Sequence, residues 1–404
     1  MKYIILVGDG MADLPLAELG GKTPLSAAEK PAMDYIASRG LNGRVNTVPE
    51  GMVPESDTAN LAIMGYDPRV YSKGRSPLEA ASIGIKMQDD ETAIRANVVC
   101  LSEEEALYED KRMIDHSAGE ISTEEADELI KAVQKAFGNE FRTFYTGVSY
   151  RHCLIWKNCP DFTDFSRPHD ILGKRIGDHA PVNLSSRPFW ELQKASYDLL
   201  NQHPVNLARA AAGKRKANSL WFWGAGTKPS LESFESKTGL KGAMISAVDL
   251  LKGIAVGAGM KVLHVPGATG GLHTNYEGKA DAAIQALLED GCDFAYVHVE
   301  APDEMGHQGS VENKIKSIEN LDRRVISRIK DALDDSGEPY RMLICPDHPT
   351  PIRCRTHTSD PVPYILYDST CQRKSLARYS EHEALLTGIY EPQGYKLMER
   401  LLNK

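Results

Sequence analysis

The amino-acid sequence predicts an α/β fold in which a doubly wound, largely parallel sheet carries a smaller inserted α+β domain. Short apolar runs typical of β-strands alternate with amphipathic stretches typical of helices along most of the chain. This texture changes between residues 105 and 185. The chain has 404 residues, of which 42% are hydrophobic, so it is longer than a typical single domain and can hold a main domain with an insertion.

Four apolar runs are predicted to form core strands: Tyr3–Val7, Lys261–Val265, Phe294–Val299 and Arg341–Cys345. A helix that ends near Gly40 follows the first run, and helical segments separate the others. This alternation of strand and helix favours a largely parallel sheet.

The predicted insertion covers residues 105–185, which we interpret as a cap domain, and leaves residues 1–104 and 186–404 as the core. Its far edge is marked by a stretch from residue 167 to residue 188 that is punctuated by proline and glycine. Sequence patterns typical of helices resume after that stretch.

Within the insertion, Ser122 and Glu125 have the spacing of a capping box, which predicts a helix over Thr123–Phe137. Two aromatic-rich strand candidates follow, around Gly147 and Trp156. The insertion is therefore expected to contain both helix and strand.

Composition excludes several classes of partner. The net charge of −9 comes from 56 acidic and 47 basic residues without a basic stripe, so we expect neither nucleic acid nor anionic lipid as a partner. No stretch approaches the roughly 20 apolar residues of a membrane span, and the first apolar run is too short for a signal sequence.

Seven cysteines without a C-x-x-C pair indicate neither a disulfide framework nor a zinc ribbon. We expect a cytoplasmic protein, and the sequence leaves its oligomeric state open.

Polar residues of the kind that bind metals follow three of the predicted strands. Ligands in open α/β sheets bind beyond the carboxyl ends of the strands, so these positions are the ones to inspect. The residues, in chain order, are Asp9, then Asp303 and His307, then Asp347, His348 and His357. Carboxylates mixed with imidazoles suit Mn²⁺ or Zn²⁺, with Mg²⁺ as a further candidate where oxygen ligands dominate. The Asp-His pair followed by another His is similar to the pattern of two-metal hydrolases.

A candidate nucleophile lies in the segment VPESDTANLAIMGYDP, where Ser56 and Asp57 precede a short predicted helix that stops at Gly65. A helix N-terminus offers backbone N–H groups and the positive end of the helix dipole, which favour a phosphate on the serine hydroxyl. A serine bound to a metal as its alkoxide is a competent nucleophile at neutral pH. An ordinary serine cap is the alternative interpretation of this segment.

Nucleotide-binding motifs are not indicated. The segment LAELGGKT resembles the end of a P-loop, but Leu16 stands where the first glycine is required and no strand directly precedes it. The run GATGG at residues 267–271 could cradle a phosphate after the strand ending at Val265, but a simple glycine turn is the favoured interpretation.

These residues together resemble the cofactor-independent phosphoglycerate mutases, specifically the archaeal-type branch of the alkaline-phosphatase superfamily. The segments that carry the resemblance are GDGMAD, SDTANLAIMGYDP, GRSPLEAASIGI, SYRHCLIW, PHDILGK, HVEAPDEMGH and PDHPTP with a later His. The resemblance implies an alkaline-phosphatase-like core and two divalent metal ions, most simply Mn²⁺. It assigns one metal to Asp303, His307 and His357, and the other to Asp9, Ser56, Asp347 and His348.

The resemblance also implies a mechanism and a small phosphorylated hydroxy acid as substrate. Ser56 would take the phosphoryl group of 3-phosphoglycerate and return it to the 2-hydroxyl of glycerate, under a closed cap that excludes water. The substrate carboxylate and phosphate need cationic groups, for which the candidates are Arg151 and His152 in the cap and Arg75 and Lys252 in the core.

Two other activities fit the same residues. A related phosphotransferase could act on another small hydroxylated acid, as a homoserine-kinase-like enzyme would. Simple phosphatase or phosphodiesterase activity would follow if the cap failed to exclude water. A non-catalytic binding module is disfavoured, because the nucleophile and the metal ligands are all present.

Overall fold

The computed structural model describes residues 1–72, 74–162, 165–228, 230–371, 373 and 378–403. The chain divides into two compact units, one formed by Met1–Ser72 with Ser230–Lys404 and the other by Lys73–Pro229. The first unit has a largely parallel sheet covered by helices, and the second has an antiparallel sheet. The predicted α/β class with a separate smaller α+β unit is confirmed.

The strands are β1 (Lys2–Gly8), β2 (Leu41–Val45), β3 (Glu91–Leu101), β4 (Met113–Asp115), β5 (Arg142–Tyr145), β6 (Arg151–Lys157), β7 (Ser219–Thr227), β8 (Gly242–Ile245), β9 (Lys261–Leu263), β10 (Phe294–Val299), β11 (Tyr340–Cys345), β12 (Val362–Asp368) and β13 (Tyr390–Glu391). The helices are α1 (Pro24–Ala27), α2 (Pro31–Ala37), α3 (Ser56–Ile63), α4 (Pro68–Tyr71), α5 (Ser76–Ser82), α6 (Thr123–Phe137), α7 (Arg187–Leu200), α8 (Pro204–Ala211), α9 (Phe234–Thr238), α10 (Asp249–Gly257), α11 (Tyr276–Leu288), α12 (Ala301–Gln308), α13 (Val311–Asn320), α14 (Ser327–Ser336), α15 (Glu381–Leu386) and α16 (Leu397–Leu402). A π-helical segment, Leu321–Ile326, joins α13 to α14.

The larger sheet has the strand order β13-β2-β12-β11-β1-β10-β8-β9 among the described residues. Its central strand, β1, pairs in parallel with β10 on one side and with β11 on the other. The register aligns Val7 with His298 and with Cys345, so the carboxyl ends of the three strands lie at one edge of the sheet. Among the strands of this sheet in the described residues, only β12 runs antiparallel to its neighbours, which are β11 and β2.

Both faces of this sheet are buried. Ile4 and Leu6 of β1 pack into a core with side chains of α2, α11 and α14, while Ile5 and Val7 point to the other face because side chains alternate along a strand. All four side chains are wholly buried. Continuous apolar runs of this kind are typical of parallel strands that helices cover on both faces.

The second unit contains a sheet in which β3 pairs antiparallel with β4, β6 and β7, and β5 pairs with β6. Its core packs side chains of α6 and α7 against this sheet. The helix Thr123–Phe137 has the predicted bounds, and the Ser122 hydroxyl accepts a hydrogen bond of 3.2 Å from the Glu125 N–H. The bounds of the unit differ from the predicted 105–185, because its central strand β3 precedes that range and β7, which pairs with β3, follows it.

Most predicted core strands have nearly the predicted bounds. Strand β10 covers Phe294–Val299 as predicted, whereas β9 ends at Leu263, two residues before the predicted end. Among the described residues, no helix is long and apolar enough to cross a membrane.

A buried ion pair joins the loops behind the carboxyl edge of the sheet. Lys314 of α13 lies with its Nζ 2.8 Å from Asp13 Oδ2, and both side chains are 0% exposed. The same ammonium donates to the carbonyl of Thr350 at 2.8 Å, and the Asp13 carboxylate accepts from the Ile352 N–H. The pair therefore fixes the loop after β1 against the loop after β11.

Removal of this pair should destabilise the first unit. Lys314→Met would leave the Asp13 carboxylate buried without its counter-charge, which costs about 3–5 kcal/mol of unfolding free energy. Thermal unfolding of the full chain would report the loss as a lower Tm. Lys316→Met on the exposed side of the same helix is the matched control and should change Tm little. Equal Tm values for the two variants would show that the pair does not hold these loops.

Candidate metal centre

The candidate site residues meet at the carboxyl edge of the larger sheet. Asp9 directly follows β1, and Asp347 and His348 follow β11 after a single proline. Asp303 and His307 lie one turn apart on α12, which begins just after β10. Three adjacent parallel strands thus deliver these side chains to one place.

Asp303, His307 and His357 form one cluster. His307 Nε2 lies 3.1 Å from Asp303 Oδ2 and 3.0 Å from His357 Nε2, and His357 Nε2 lies 3.5 Å from Asp303 Oδ1. The Nδ1 of His307 lies 3.0 Å from the carbonyl of Arg355, and the Nδ1 of His357 lies 2.8 Å from the carbonyl of Pro54. Each Nδ1–H donates to its carbonyl, which directs both Nε2 atoms toward the shared space beside the carboxylate. This arrangement is the usual one for imidazoles that bind a cation through Nε2.

Asp9, Asp347, His348 and Ser56 form the neighbouring cluster. His348 Nε2 lies 3.6 Å from Asp9 Oδ1, 3.5 Å from Asp347 Oδ2 and 3.3 Å from Ser56 Oγ. The ring of His348 also stacks on that of His357, with ring centroids 3.9 Å apart. The two clusters are therefore contiguous.

Gly10 allows the loop after β1 to pass close to α12. Its φ is 59°, and a Cβ at this position would lie 2.7 Å from the Cα of Asp303. Its N–H donates to Asp347 Oδ1 at 3.1 Å. A side chain at position 10 would separate the carboxylates that the two loops bring together.

His298 is a member of the site that the sequence interpretation did not include. It lies in β10, its side chain is 0% exposed, and its Nε2 is 3.0 Å from Asp9 Oδ2. Ligand atoms of Asp9, His298 and Asp347 lie within 4.8 Å of one another, and so do those of Asp303, His348 and His357. His348 thus lies at the boundary between the two predicted ligand sets. The sequence feature that could have identified His298 is a histidine inside the apolar run FAYVHV.

Lys279 of α11 is also buried beside this site and was not singled out. Its Nζ donates to the carbonyl of His298 at 2.9 Å. Burial lowers the pKa of Lys279 to about 8, against the opposing effect of Glu300 and Asp9.

The electrostatics of the two clusters favour a bound cation. Burial raises the pKa of Asp9 well above its usual range, and the neighbouring carboxylates of Asp347 and Asp303 raise it further. Among the described residues, Asp9 Oδ1 accepts no hydrogen bond although it is buried. Three buried carboxylates with imidazole nitrogens are a donor set that fits divalent transition metals. The residues present therefore fit the two metal ions that the sequence implies.

Ser56 is the first residue of α3, and Glu55 occupies the N-cap position, so Ser56 is not the cap itself. Its Oγ faces the His348 imidazole at the edge of the second cluster. The serine therefore lies both at the N-terminus of a helix and close to the candidate metal ligands.

Of the four candidate substrate-binding residues, Arg75 lies in a different part of the chain from the one predicted. Arg75 lies in the second unit rather than in the core, because α5 packs on β3 and β7, and its Nε is 2.9 Å from Glu79 Oε1. His152 is buried, its Nδ1 accepts the Gly147 N–H, and burial lowers its pKa to about 3, so it carries no positive charge at neutral pH. Arg151 is exposed beside the ring of Tyr150, and Lys252 in the first unit pairs with Asp249 at 3.1 Å.

The fold and these clusters define an α/β protein with a carboxylate–imidazole centre at the carboxyl edge of its main sheet. A family model described as 2,3-bisphosphoglycerate-independent phosphoglycerate mutase matches residues 37–206. A probable 2,3-bisphosphoglycerate-independent phosphoglycerate mutase of Geobacter sulfurreducens is 48% identical over 100% of both chains. The corresponding enzyme of Methanosarcina barkeri is 50% identical over 91% of this chain and 90% of its own. The solved cofactor-independent phosphoglycerate mutase of Thermoplasma acidophilum has a TM-score of 0.67, at 26% identity over 100% of this chain and 99% of that one.

This chain belongs to the 2,3-bisphosphoglycerate-independent phosphoglycerate mutases, a family of isomerases. The resemblance drawn from the sequence motifs is confirmed.

Metal binding at the first cluster should release protons. The hydrogen bond with Asp303 raises the pKa of His307 from 6.5 to about 9, so at neutral pH the metal-free protein carries a proton that a cation must displace. Affinity for Mn²⁺ should rise as pH increases from 6.5 to about 9, by about tenfold per pH unit for each displaced proton. Titration calorimetry of the metal-free full chain measures this.

His307→Ala should weaken Mn²⁺ binding and remove part of the pH dependence, whereas His382→Ala at an exposed position should do neither. Wild-type affinity in the His307→Ala protein would contradict the placement of His307 at the metal centre.

Proposed function

We propose that this protein interconverts 3-phosphoglycerate and 2-phosphoglycerate through a phosphoserine formed on Ser56. The observation that carries the proposal is the position of the Ser56 hydroxyl, 3.3 Å from His348 Nε2 at the edge of the two clusters, in a chain of the mutase family. The proposed ligands are Asp303, His307 and His357 for one cation, and Asp9, Ser56, Asp347 and His348 for the other.

Bound divalent cations would neutralise charge on the transferring phosphoryl group and lower the pKa of the serine hydroxyl. Mn²⁺ is the proposed ion because it accepts carboxylate and imidazole together, with Zn²⁺ and Mg²⁺ as alternatives. His298 lies close enough to Asp9 either to orient this carboxylate or to join the second ligand set.

The proposed transfer has two symmetric halves. Ser56 loses its proton, and Oγ attacks the phosphorus of 3-phosphoglycerate; the bond from phosphorus to the C3 oxygen breaks, and that oxygen takes up a proton. Glycerate then presents its C2 hydroxyl, which loses its proton as its oxygen attacks the same phosphorus. The Oγ–P bond breaks, and Ser56 Oγ regains a proton. Protons lost and gained balance, and no nucleotide is consumed. We place the reaction in glycolysis and gluconeogenesis, and the protein in the cytoplasm.

The backbone of α3 supports negative charge on the transferred group. N–H groups in the first turn of a helix lack carbonyl partners within the helix, and they point toward a group attached to a residue at its start. Ser56 occupies this position. The phosphoserine would therefore be stabilised by the helix terminus as well as by the cations.

A substrate that carries both a carboxylate and a phosphate also needs cationic groups. Our candidates for these contacts are Arg151, Arg75 and Lys252. Of these, Arg75 already forms an ion pair with Glu79. His152 is a weaker candidate, since it is neutral when buried.

The first test is an assay without nucleotide. The purified full chain, supplied with Mn²⁺, should convert 3-phosphoglycerate to 2-phosphoglycerate, as measured by following product with enolase. Excess chelator should abolish the activity and Mn²⁺ should restore it. If the protein left phosphoglycerates unchanged but formed O-phosphohomoserine from homoserine and ATP, the kinase-like alternative would be correct instead of the mutase.

The second test identifies the nucleophile. Ser56→Ala should retain Mn²⁺ binding at the first cluster but form no phosphoenzyme, and its turnover should fall by about 10³-fold or more because no other group replaces the hydroxyl. Acid quenching with labelled substrate, followed by peptide mapping, locates the phosphate. Ser336→Ala, at an exposed position in the same unit, is the control. Label on a residue other than Ser56 would refute the assignment.

A further inference from the structure

Asn60 lies between the proposed nucleophile and one of the proposed metal ligands. Its side chain is wholly buried in α3, one turn after Ser56. Its Nδ2 donates to the carbonyl of Ser56 at 2.8 Å and to Asp347 Oδ2 at 2.8 Å. Its Oδ1 accepts a hydrogen bond of 2.5 Å from the hydroxyl of Tyr296.

These three contacts use both N–H donors and the oxygen of the amide, so its orientation is fully determined. The acceptors on one side are a carbonyl and a carboxylate, and the donor on the other side is a hydroxyl. A rotated amide would place its oxygen against two acceptors. The side chain therefore has one satisfactory orientation.

The contacts join three elements that converge on the site. Tyr296 belongs to β10, Asn60 to α3, and Asp347 to the loop after β11. The other carboxylate oxygen of Asp347, Oδ1, accepts from the N–H groups of Gly10 and His348. Asn60 thus supplies the donor that fixes the second oxygen of this carboxylate.

We propose that Asn60 is a positioning residue that couples the Ser56 nucleophile to the Asp347 ligand, with Tyr296 as its anchor. The inference rests on the proposed function of Ser56 and adds two residues to it. Asn60 touches neither substrate nor metal; it acts through the backbone of the nucleophile and the orientation of the ligand. Groups that hydrogen-bond to a metal ligand commonly change affinity or activity about 10- to 100-fold when removed.

The competing interpretation is that Asn60 only stabilises the fold. Asn42 provides a matched comparison in the same unit, since its buried side chain donates to the carbonyl of Ala37 at 2.8 Å. Tyr379 is the corresponding comparison for Tyr296, because its buried hydroxyl donates to the carbonyl of Pro363 at 2.9 Å.

The experiment compares Asn60→Ala and Tyr296→Phe with Asn42→Ala and Tyr379→Phe in the full chain. Mn²⁺ affinity is measured by calorimetry, the rate of phosphoserine formation by rapid quench, and Tm by calorimetric scanning. Asn60→Ala should lower Mn²⁺ affinity at one site and the rate of phosphoserine formation by about 10- to 100-fold. Tyr296→Phe should produce a smaller loss of the same two quantities. The control variants should lower Tm alone.

The double variant provides the sharper test. If Tyr296 acts through Asn60, then Asn60→Ala with Tyr296→Phe should lose no more function than Asn60→Ala alone. If the double variant instead lost function by the product of the two single-variant factors, Tyr296 would not act through Asn60. Unchanged Mn²⁺ affinity and phosphorylation rate in folded Asn60→Ala would overturn the proposal as a whole. If Asn60→Ala does not fold, wild-type values of both quantities in Tyr296→Phe would do so.

These outcomes are separable from failure of the proposed function. An inactive wild-type protein on phosphoglycerates would reject the mutase assignment, yet the Mn²⁺ affinities of the four variants would still show whether Asn60 orients Asp347.

Discussion

The parallel pairing of β1 with β10 and β11 is the constraint from which the site follows. Because the three strands run in the same direction and in register, their carboxyl ends place Asp9, Asp303 and Asp347 at one edge of the sheet. Antiparallel neighbours would have sent these residues to opposite edges. The close approach is completed at Gly10, where the backbone leaves no room for a side chain. The topology therefore gathers three buried carboxyl groups before any ligand is considered.

Buried carboxyl groups have two different kinds of surroundings in this protein. The Asp13 carboxylate is matched to a single ammonium, that of Lys314, and to backbone N–H groups, so its charge is compensated within the chain. At the edge of the sheet, the hydrogen bonds of Asp303 with His307 and His357 hold its pKa low despite burial, whereas the pKa of Asp9 is raised. An isolated buried carboxylate is expensive, and a protein that needed only a stable core would not gather three. The difference between the two places supports a cation at the second one.

The sequence was sufficient for the features that depend on local pattern. Apolar runs located the strands β1, β10 and β11, and the spacing of Ser122 and Glu125 located α6. Polar residues after strands identified side chains that the fold brings together. Contacts distant in the chain were not predictable in this way. Strand β3 precedes the expected insertion, yet it pairs with β6 inside that range and with β7 after it. The proposed role of Asn60 depends on Tyr296, which is 236 positions away. His298 was not included because it lies within the strand, whereas the sequence interpretation considered polar residues that follow strands.

The proposed metal ligands and most of the proposed substrate-binding residues lie in different units of the chain. The seven proposed ligands, with Ser56 among them, lie in the first unit, whereas Arg75, Arg151 and His152 lie in the second. A metal centre of this kind can serve any phosphoryl transfer, since it recognises the phosphate and not the rest of the molecule. Discrimination between glycerate and another hydroxy acid must then come from groups that contact the carboxylate and the carbon chain. The second unit is included in the full-length match to the Geobacter relative, so the family relationship extends to the part of the chain where most of our candidate specificity residues lie.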